Sequence, residues 1–337
     1  MVKDKMANDF KDIRAYRVEW FDVITDFLII FPLLQIWAKK TTKGLHLAYL
    51  GDRKQIKADI KHGAFFMTNH RDIVMDAAWL SYLLRIHYFI RPYMGVGNNL
   101  FAKPWIEFVM RYLRCFAVKR NAGAHAQLEN AKQLSAYIRS LRKRGKSIWL
   151  AQREGRAKDS NDLTQTSVLH MLTLGGDDFF ESVKALNICP VSITYEYDPC
   201  DYLKAAEMQL KRDNPKWRKS KRDDVISMQT GINGFKGRVY YRLTPSINPE
   251  IDALLTARPE YRQASEHDQL QMVCDIIDRH IHSGYEIFER GTEFDTYIES
   301  RLALIDIPNK DEAFLREKLY EMYRFPEINY NKANHKS

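Results

Sequence analysis

Short apolar runs alternate with amphipathic helical segments through the middle of the chain. The runs are rich in β-branched and aromatic residues and short enough to be strands; they lie at 44–50, 64–69, 87–96, 115–120, 147–152, 188–197 and 237–247. Apolar residues between them recur at helical spacing, most clearly over 124–144, where Gly145 is placed to end the helix. This alternation predicts an α/β fold with a largely parallel central sheet of about seven strands flanked by helices.

The two ends of the chain differ from this alternating middle. Residues 1–43 contain the longest apolar stretch, 27–38, which is shorter than the about 20 residues that a membrane-spanning helix needs. We expect an amphipathic N-terminal helix there, which either packs in a core or lies in a membrane interface with the lysines after it facing anionic lipid. Residues 44–247 are expected to form the α/β domain, and 248–337 a helical C-terminal extension.

Composition and charge narrow the class of protein. The 337 residues are 45% hydrophobic and 28% charged, as in a folded globular protein. The formal net charge of +9 favours an anionic partner, which means nucleic acid, anionic lipid or a phosphorylated small molecule. The four cysteines are widely spaced and form no CxxC pair, so buried free thiols in a reducing compartment are expected. The polar N-terminus has no signal-peptide pattern.

A histidine follows the second apolar run. The run leads into Asn69-His70-Arg71-Asp72, and an apolar-periodic helix comes next. Ligands meet side chains at the carboxyl ends of parallel strands. A histidine there is a candidate general base when a carboxylate fixes its tautomer, and Asp72 and Asp76 are both near enough in sequence. The plainer alternative is a surface histidine in a turn where Asn69 or Asp72 caps the helix.

Basic residues follow two later apolar runs. The fifth run ends in Arg153-Glu154-Gly155-Arg156, where glycine permits a tight turn and two arginines offer forked donors suited to phosphate. The fourth run ends at Arg120. If these strand ends share one edge of the sheet with the histidine, a general base faces an anion site. The alternative for the segment at 153–156 is a solvated, charged loop with local ion pairs.

The order of these segments resembles the glycerolipid acyltransferase family, the group that includes 1-acyl-glycerol-3-phosphate acyltransferases. The family pattern is an NHxxxxD segment, an apolar strand ending in Arg, a P-E-G-T-R-like segment and an apolar strand with Pro. The matching residues here are Asn69-His70 with Asp76, Phe116 to Arg120, Glu154-Gly155-Arg156, and Pro190. Pro190 cannot donate to a ladder, so we expect an edge strand or a bulge at that position. The resemblance covers about residues 60–200.

Two departures from the family pattern matter. The family places four residues between His and Asp, whereas five separate His70 from Asp76, and Asp72 is an alternative partner. We favour Asp76, because Asp72 is well placed to cap the following helix. The third segment has Gln152-Arg153 in place of Phe-Pro and lacks the threonine before its last arginine.

The resemblance implies an acyltransferase of phospholipid biosynthesis that needs no metal or cofactor. The acyl donor would be acyl-CoA or acyl carrier protein, and the acceptor 1-acyl-glycerol-3-phosphate or a related glycerol phosphate. His70 would be the general base, with Asp76 or Asp72 as its partner. The implied substrate-binding residues are Asn69, Arg71, Arg120, Arg153, Glu154, Gly155, Arg156 and Pro190. A lipid acceptor and the basic charge favour an anionic membrane surface on the cytoplasmic side of the cell membrane, with a peripheral or monotopic protein that is not secreted.

Other functions also fit part of the sequence. A non-catalytic lipid-binding protein with a degenerate acyltransferase fold is the main alternative, supported by the irregular His–Asp spacing. An acyltransferase acting on glycerol 3-phosphate or another lipid acceptor is a second alternative. A nucleic-acid-binding module fits the charge, but no helix-turn-helix, zinc or RNP-like motif is present, so no nucleic acid is expected. A Ser or Cys hydrolase lacks its GxSxG signature.

Overall fold

The computed structural model describes residues 24–97, 110, 113–118 and 124–334. The strands in this part of the chain are β1 (Gly44–Tyr49), β2 (Phe65–Thr68), β3 (Tyr93–Gly97), β4 (Cys115–Val118), β5 (Ile148–Ala151), β6 (Ile188–Tyr195) and β7 (Arg238–Leu243). They form one sheet in the order β1-β7-β6-β2-β5-β3-β4, and every neighbouring pair is parallel except β6 with β7. The predicted α/β fold with a largely parallel sheet of seven strands is confirmed.

Helices precede, connect and follow these strands. Those in the described residues are α1 (Phe31–Thr41), α2 (Arg53–Lys61), α3 (Met75–Tyr88), α4 (Ala124–Lys143), α5 (Thr166–Thr173), α6 (Phe179–Leu186), α7 (Asp201–Asp213), α8 (Lys221–Asn233), α9 (Asn248–Ala257), α10 (Glu266–Ser283), α11 (Glu293–Ala303) and α12 (Glu312–Asn334). A π-helical turn, Asp26–Ile30, precedes α1. Within the described ranges, no helix combines the length and the apolar character that a bilayer crossing requires.

Helices cover both faces of the sheet, and the alternation of side chains along β2 divides the core in two. Phe65 and Met67 belong to a cluster with α4, α5, α6, α9 and α10, whereas Phe66 belongs to the opposite cluster with α2 and α3. All residues of β2, β5 and β6 are buried, as expected for central strands of a covered parallel sheet.

Pro190 lies inside the sheet, since β6 runs between β7 and β2, so the expectation of an edge strand there is wrong. β7 ends at Leu243, opposite Val191, which leaves Pro190 one residue outside that ladder. The Pro190 carbonyl accepts hydrogen bonds from the N–H and the hydroxyl of Thr244, at 3.1 and 2.7 Å. Proline is tolerated in this interior strand because β7 needs no N–H from this position.

The C-terminal helices pack on the α/β part at two places. The apolar face of α10 joins the core cluster beneath β2, and α11 and α12 form a third cluster with α7. The buried Asp201 carboxylate at the start of α7 accepts hydrogen bonds from the hydroxyls of Tyr297 and Tyr323, at 2.8 and 2.7 Å. Arg301 adds an ion pair to the same carboxylate at 2.6 Å. These helices therefore hold the chain that follows β6 in place.

The N-terminal helix has an exposed apolar face. The exposed apolar side chains of α1 and the turn before it are Phe27, Leu28, Ile29, Leu33 and Ile36. On the opposite side, the Phe31 ring contacts Tyr82, and the buried Asp26 carboxylate pairs with Arg85 at 3.2 Å. The first part of the predicted N-terminal segment, residues 1–23, lies outside the described residues.

Candidate active site

The chain turns sharply after β2 and brings His70 against Asp76. The Nδ1 atom of His70 lies 2.9 Å from Oδ2 of Asp76, and the same oxygen accepts hydrogen bonds from the N–H groups of Arg71 and Asp72 at 2.7 and 2.9 Å. The other carboxylate oxygen accepts the Tyr195 hydroxyl at 2.8 Å. Asp76 is fully buried, so these hydrogen-bond donors replace the water that would solvate an exposed carboxylate. With Nδ1–H donated to Asp76, Nε2 is the histidine atom that can accept a proton.

Asp72 caps the start of α3. Its Oδ1 atom accepts hydrogen bonds from the N–H groups of Val74 and Met75, both at 2.8 Å. Its other oxygen packs against Gly231 of α8, where an added Cβ would collide with it. Burial, followed by the like charge of Asp76, raises the pKa of Asp72. The extra residue in the His–Asp spacing is thus taken up in the capped turn before α3.

Three of the predicted substrate-binding residues make contacts within the protein interior. The Asn69 side chain exchanges two hydrogen bonds with the backbone of Ile193 in β6, at 2.9 and 2.8 Å. The Arg71 guanidinium lies 2.9 Å from the Asp162 carboxylate, and both side chains are buried. Pro190 lies in the buried strand β6. The contacts of Asn69 and Arg71 anchor the turn after β2 to β6 and to the loop after β5.

That loop brings basic side chains to the same edge of the sheet. Gly155 has a φ of +70°, a left-handed conformation that glycine adopts without strain. Arg156 is only 6% exposed, and among the described residues its Nη1 atom, like Nε of Arg153, has no hydrogen-bond partner. Lys158 pairs with Glu207 at 2.7 Å. Burial and the positive charge of Arg156 lower the pKa of Lys158 to about 8.

A cavity of about 690 Å³ joins the histidine to this loop. Its polar lining residues include His70, Arg153, Glu154, Gly155, Arg156, Lys158 and Lys219. Apolar side chains of α4 and α5 also line it, namely Leu128, Ala131, Leu134, Val168 and Met171. The predicted residue Arg120 lies outside the described residues, two positions beyond the end of β4. The described part of the cavity can hold an anionic group near the histidine and an apolar chain between two helices.

The sequence did not single out three residues of this site. Lys219 lies between α7 and α8, far along the chain from β2 and β5, and it reaches the cavity only in the folded protein. His170 lines the cavity from α5, with Nδ1 2.8 Å from Glu266. Tyr195 contacts Asp76 only through the pairing of β6 with β2. No local sequence signal distinguishes any of the three.

The fold and the site together define a class of protein. It is an α/β protein in which the carboxyl ends of parallel strands carry a His–Asp pair and a buried basic loop, and both border a cavity with apolar walls.

Comparison with known families agrees with this class. The family model described as Acyltransferase matches residues 49–194, a range from the end of β1 to β6 that contains His70, Asp76 and the loop 152–156. The match covers somewhat less than half of the chain and supports an acyltransferase domain of the glycerolipid kind in these residues. No curated protein matches the chain.

Proposed function

We propose that this protein transfers an acyl chain from acyl-CoA or acyl carrier protein to a hydroxyl of 1-acyl-glycerol-3-phosphate or a related glycerol phosphate. The observation that carries the proposal is the shared cavity, in which His70 faces the same space as Arg153, Arg156 and the apolar walls of α4 and α5. The family match over residues 49–194 supports acyl transfer as the reaction class.

His70 acts as the general base in this proposal. Its Nε2 atom takes the proton of the acceptor hydroxyl while the oxygen attacks the thioester carbonyl. The C–O bond forms, the C–S bond breaks, and the proton passes from Nε2 to the leaving thiolate. Asp76 stabilises the imidazolium formed between these steps, and its three other hydrogen-bond donors keep the carboxylate oriented toward Nδ1.

Arg153 and Arg156 hold the acceptor phosphate. Each has a buried guanidinium nitrogen without a partner among the described residues, and a buried donor is costly unless a ligand or water satisfies it. Glu154 positions the glycerol hydroxyl, and backbone amides near Gly155 stabilise the oxyanion. Arg120 is proposed as a further phosphate ligand.

The apolar walls between α4 and α5 receive an acyl chain. Burial of a methylene group contributes about 0.8 kcal/mol, so even a partly enclosed chain adds substantially to substrate affinity. We further propose that the lipid acceptor is met at an anionic membrane surface on the cytoplasmic side, where the exposed apolar face of α1 inserts and Lys39 and Lys40 in its last turn contact headgroups.

The test is an acyl-transfer assay with the purified full chain. Acyl-CoA and acyl carrier protein donors are combined with glycerol 3-phosphate, 1-acyl-glycerol-3-phosphate and lysophosphodiester acceptors, and both thiol release and acylated product are measured. We expect both signals with a glycerol phosphate acceptor and their loss in His70→Ala. A protein that binds lysolipid but releases no thiol with any donor would support the non-catalytic alternative.

A further inference from the structure

Lys219 reaches the cavity from a part of the chain beyond the family match, which ends at residue 194. It lies in the turn between α7 and α8, directly before Ser220, whose side chain accepts a hydrogen bond from the Asp223 N–H. The Asp223 carboxylate in turn accepts a hydrogen bond from the Ser220 N–H, which completes a capping box. This cap fixes where α8 begins and therefore where Lys219 lies at the cavity wall.

The Lys219 ammonium is held by two local contacts. Its Nζ atom lies 3.0 Å from Oδ1 of Asp224 and 3.0 Å from Oγ of Ser227, and the side chain is 19% exposed. An ammonium has three donors, so the contacts with described residues leave one for a ligand. Asp224 also lines the cavity, which places this ion pair at the wall itself.

Lys219 belongs to the same cluster of positive charge as the loop after β5. It is one of the charges that lower the pKa of Lys158, after burial and Arg156. Four described cations, Arg153, Arg156, Lys158 and Lys219, line the cavity against two described carboxylates, Glu154 and Asp224. Crowded, partly buried cations repel one another, and a bound anion relieves that repulsion.

We propose that Lys219, together with Lys158, extends the anion site so that it prefers a phosphate monoester over a phosphodiester. A monoester carries a charge of about −1.5 to −2 at pH 7, whereas a diester carries about −1. Arg153 and Arg156 hold the group in this proposal, and the two lysines add positive charge at the same wall, which favours a doubly charged group more than a singly charged one. The inference rests on the proposed function only for the glycerol part of the ligand, because the cluster of cations is a feature of the structure itself.

The test is a binding measurement with a matched pair of ligands. Glycerol 3-phosphate and its methyl ester differ by one methyl group and one ionisable oxygen, and calorimetry with the full chain compares their affinities without any acyl donor. Wild type is expected to prefer glycerol 3-phosphate. Lys219→Met is expected to lose about tenfold in affinity for glycerol 3-phosphate, as for one charge-assisted hydrogen bond, and clearly less for the methyl ester.

Two further variants make the result specific. Lys221→Met removes an exposed lysine two positions away and is expected to bind both ligands as wild type does. Lys219→Arg keeps the charge and is expected to keep the preference for the monoester, which separates loss of charge from damage to the fold. Equal affinity of wild type for the two ligands, or an equal loss with both in Lys219→Met, would overturn the inference. Absence of thiol release in the acyl-transfer assay would instead overturn the proposed reaction.

Discussion

Two histidines among the described residues line the same cavity, and each has Nδ1 beside a carboxylate. His70 lies 2.9 Å from Asp76, and His170 lies 2.8 Å from Glu266. The two pairs differ in what holds the carboxylate. Asp76 is fully buried and accepts three further hydrogen bonds, whereas the Glu266 side chain is 69% exposed. A short distance between histidine and carboxylate therefore does not define a base, and a fixed, desolvated carboxylate is the better criterion.

The backbone around each histidine explains this difference. His70 follows a fully buried strand, so its turn is fixed by the sheet and by the cap of α3. His170 lies on the eight-residue helix α5, and Glu266 lies at the start of α10. An exposed pair of this kind contributes little energy and does not hold one rotamer against water.

The largest expected effect separates the two histidines. His70→Ala removes the proposed base and is expected to lower kcat about 10²–10⁴-fold, the usual range for general-base catalysis. His170→Ala is expected to change kcat less than about threefold, because its pair is solvated. Thiol-release kinetics together with thermal unfolding of both variants check this. Similar losses of kcat in His70→Ala and His170→Ala would contradict the distinction between the two histidines.

A second pair of variants tests the identity of the carboxylate. Asp76→Asn removes the charge that stabilises the imidazolium and is expected to lower kcat at least about 10²-fold. Asp72→Asn keeps a good capping side chain for α3 and is expected to remain within a few-fold of wild type. The measurement is kcat for both variants with folding verified by circular dichroism. If Asp72→Asn proves the more damaging of the two in kcat, the pairing assigned to His70 is wrong.

The sequence predicted the sheet and the histidine because both depend on local patterns. Apolar runs of strand length and a polar turn before a helix are visible without a structure, and Gly145 has the left-handed φ of +65° expected of a residue that ends a helix. The spacing between His70 and Asp76 did not show which turn absorbs the extra residue. That choice depends on where α3 begins, which the cap by Asp72 determines.

Other features depend on tertiary packing and left no local trace. Pro190 was expected in an edge strand or at a bulge because proline cannot donate to a ladder. The place of a strand within a sheet depends on distant segments, however, and β6 is an interior strand. Lys219 and His170 reach the cavity only because distant helices pack over the carboxyl edge of the sheet. The contact between the buried Arg71 and Asp162 could not be predicted from the sequence, because it requires the loop after β5 to lie beside the turn after β2.

A smaller effect is expected at the N-terminal helix α1. Replacing Leu28, Leu33 and Ile36 by serine removes much of the exposed apolar face of α1 and is expected to weaken binding to anionic vesicles about tenfold or more. Leu304→Ser, which changes an exposed apolar residue directly after α11, is the control. Co-sedimentation measures binding, and acyl transfer to soluble glycerol 3-phosphate is expected to stay unchanged. Undiminished co-sedimentation of the triple variant would remove α1 from the proposed membrane contact.

The smallest expected effect concerns stability and not catalysis, and it involves Asp278, a buried carboxylate outside the described lining of the cavity. It accepts the Thr164 N–H at 2.8 Å, yet burial raises its pKa to about 7. The folded protein therefore keeps a proton that the unfolded chain releases near pH 4, so this group makes stability fall as pH rises from about 4 to 7 and adds no slope above that.

Asp278→Asn removes this titration while leaving an oxygen to accept the Thr164 N–H. Relative to the variant, wild type is expected to lose on the order of 1 kcal/mol of unfolding free energy per pH unit across that window. Urea unfolding at pH 5 and pH 8 measures the difference, and kcat is expected to stay within about twofold. Parallel stability profiles would show that Asp278 is ionised in the folded protein. A large loss of kcat would show that Asp278 in α10 affects the turn that carries His70. The buried carboxylates Asp278 and Asp76 would then be coupled.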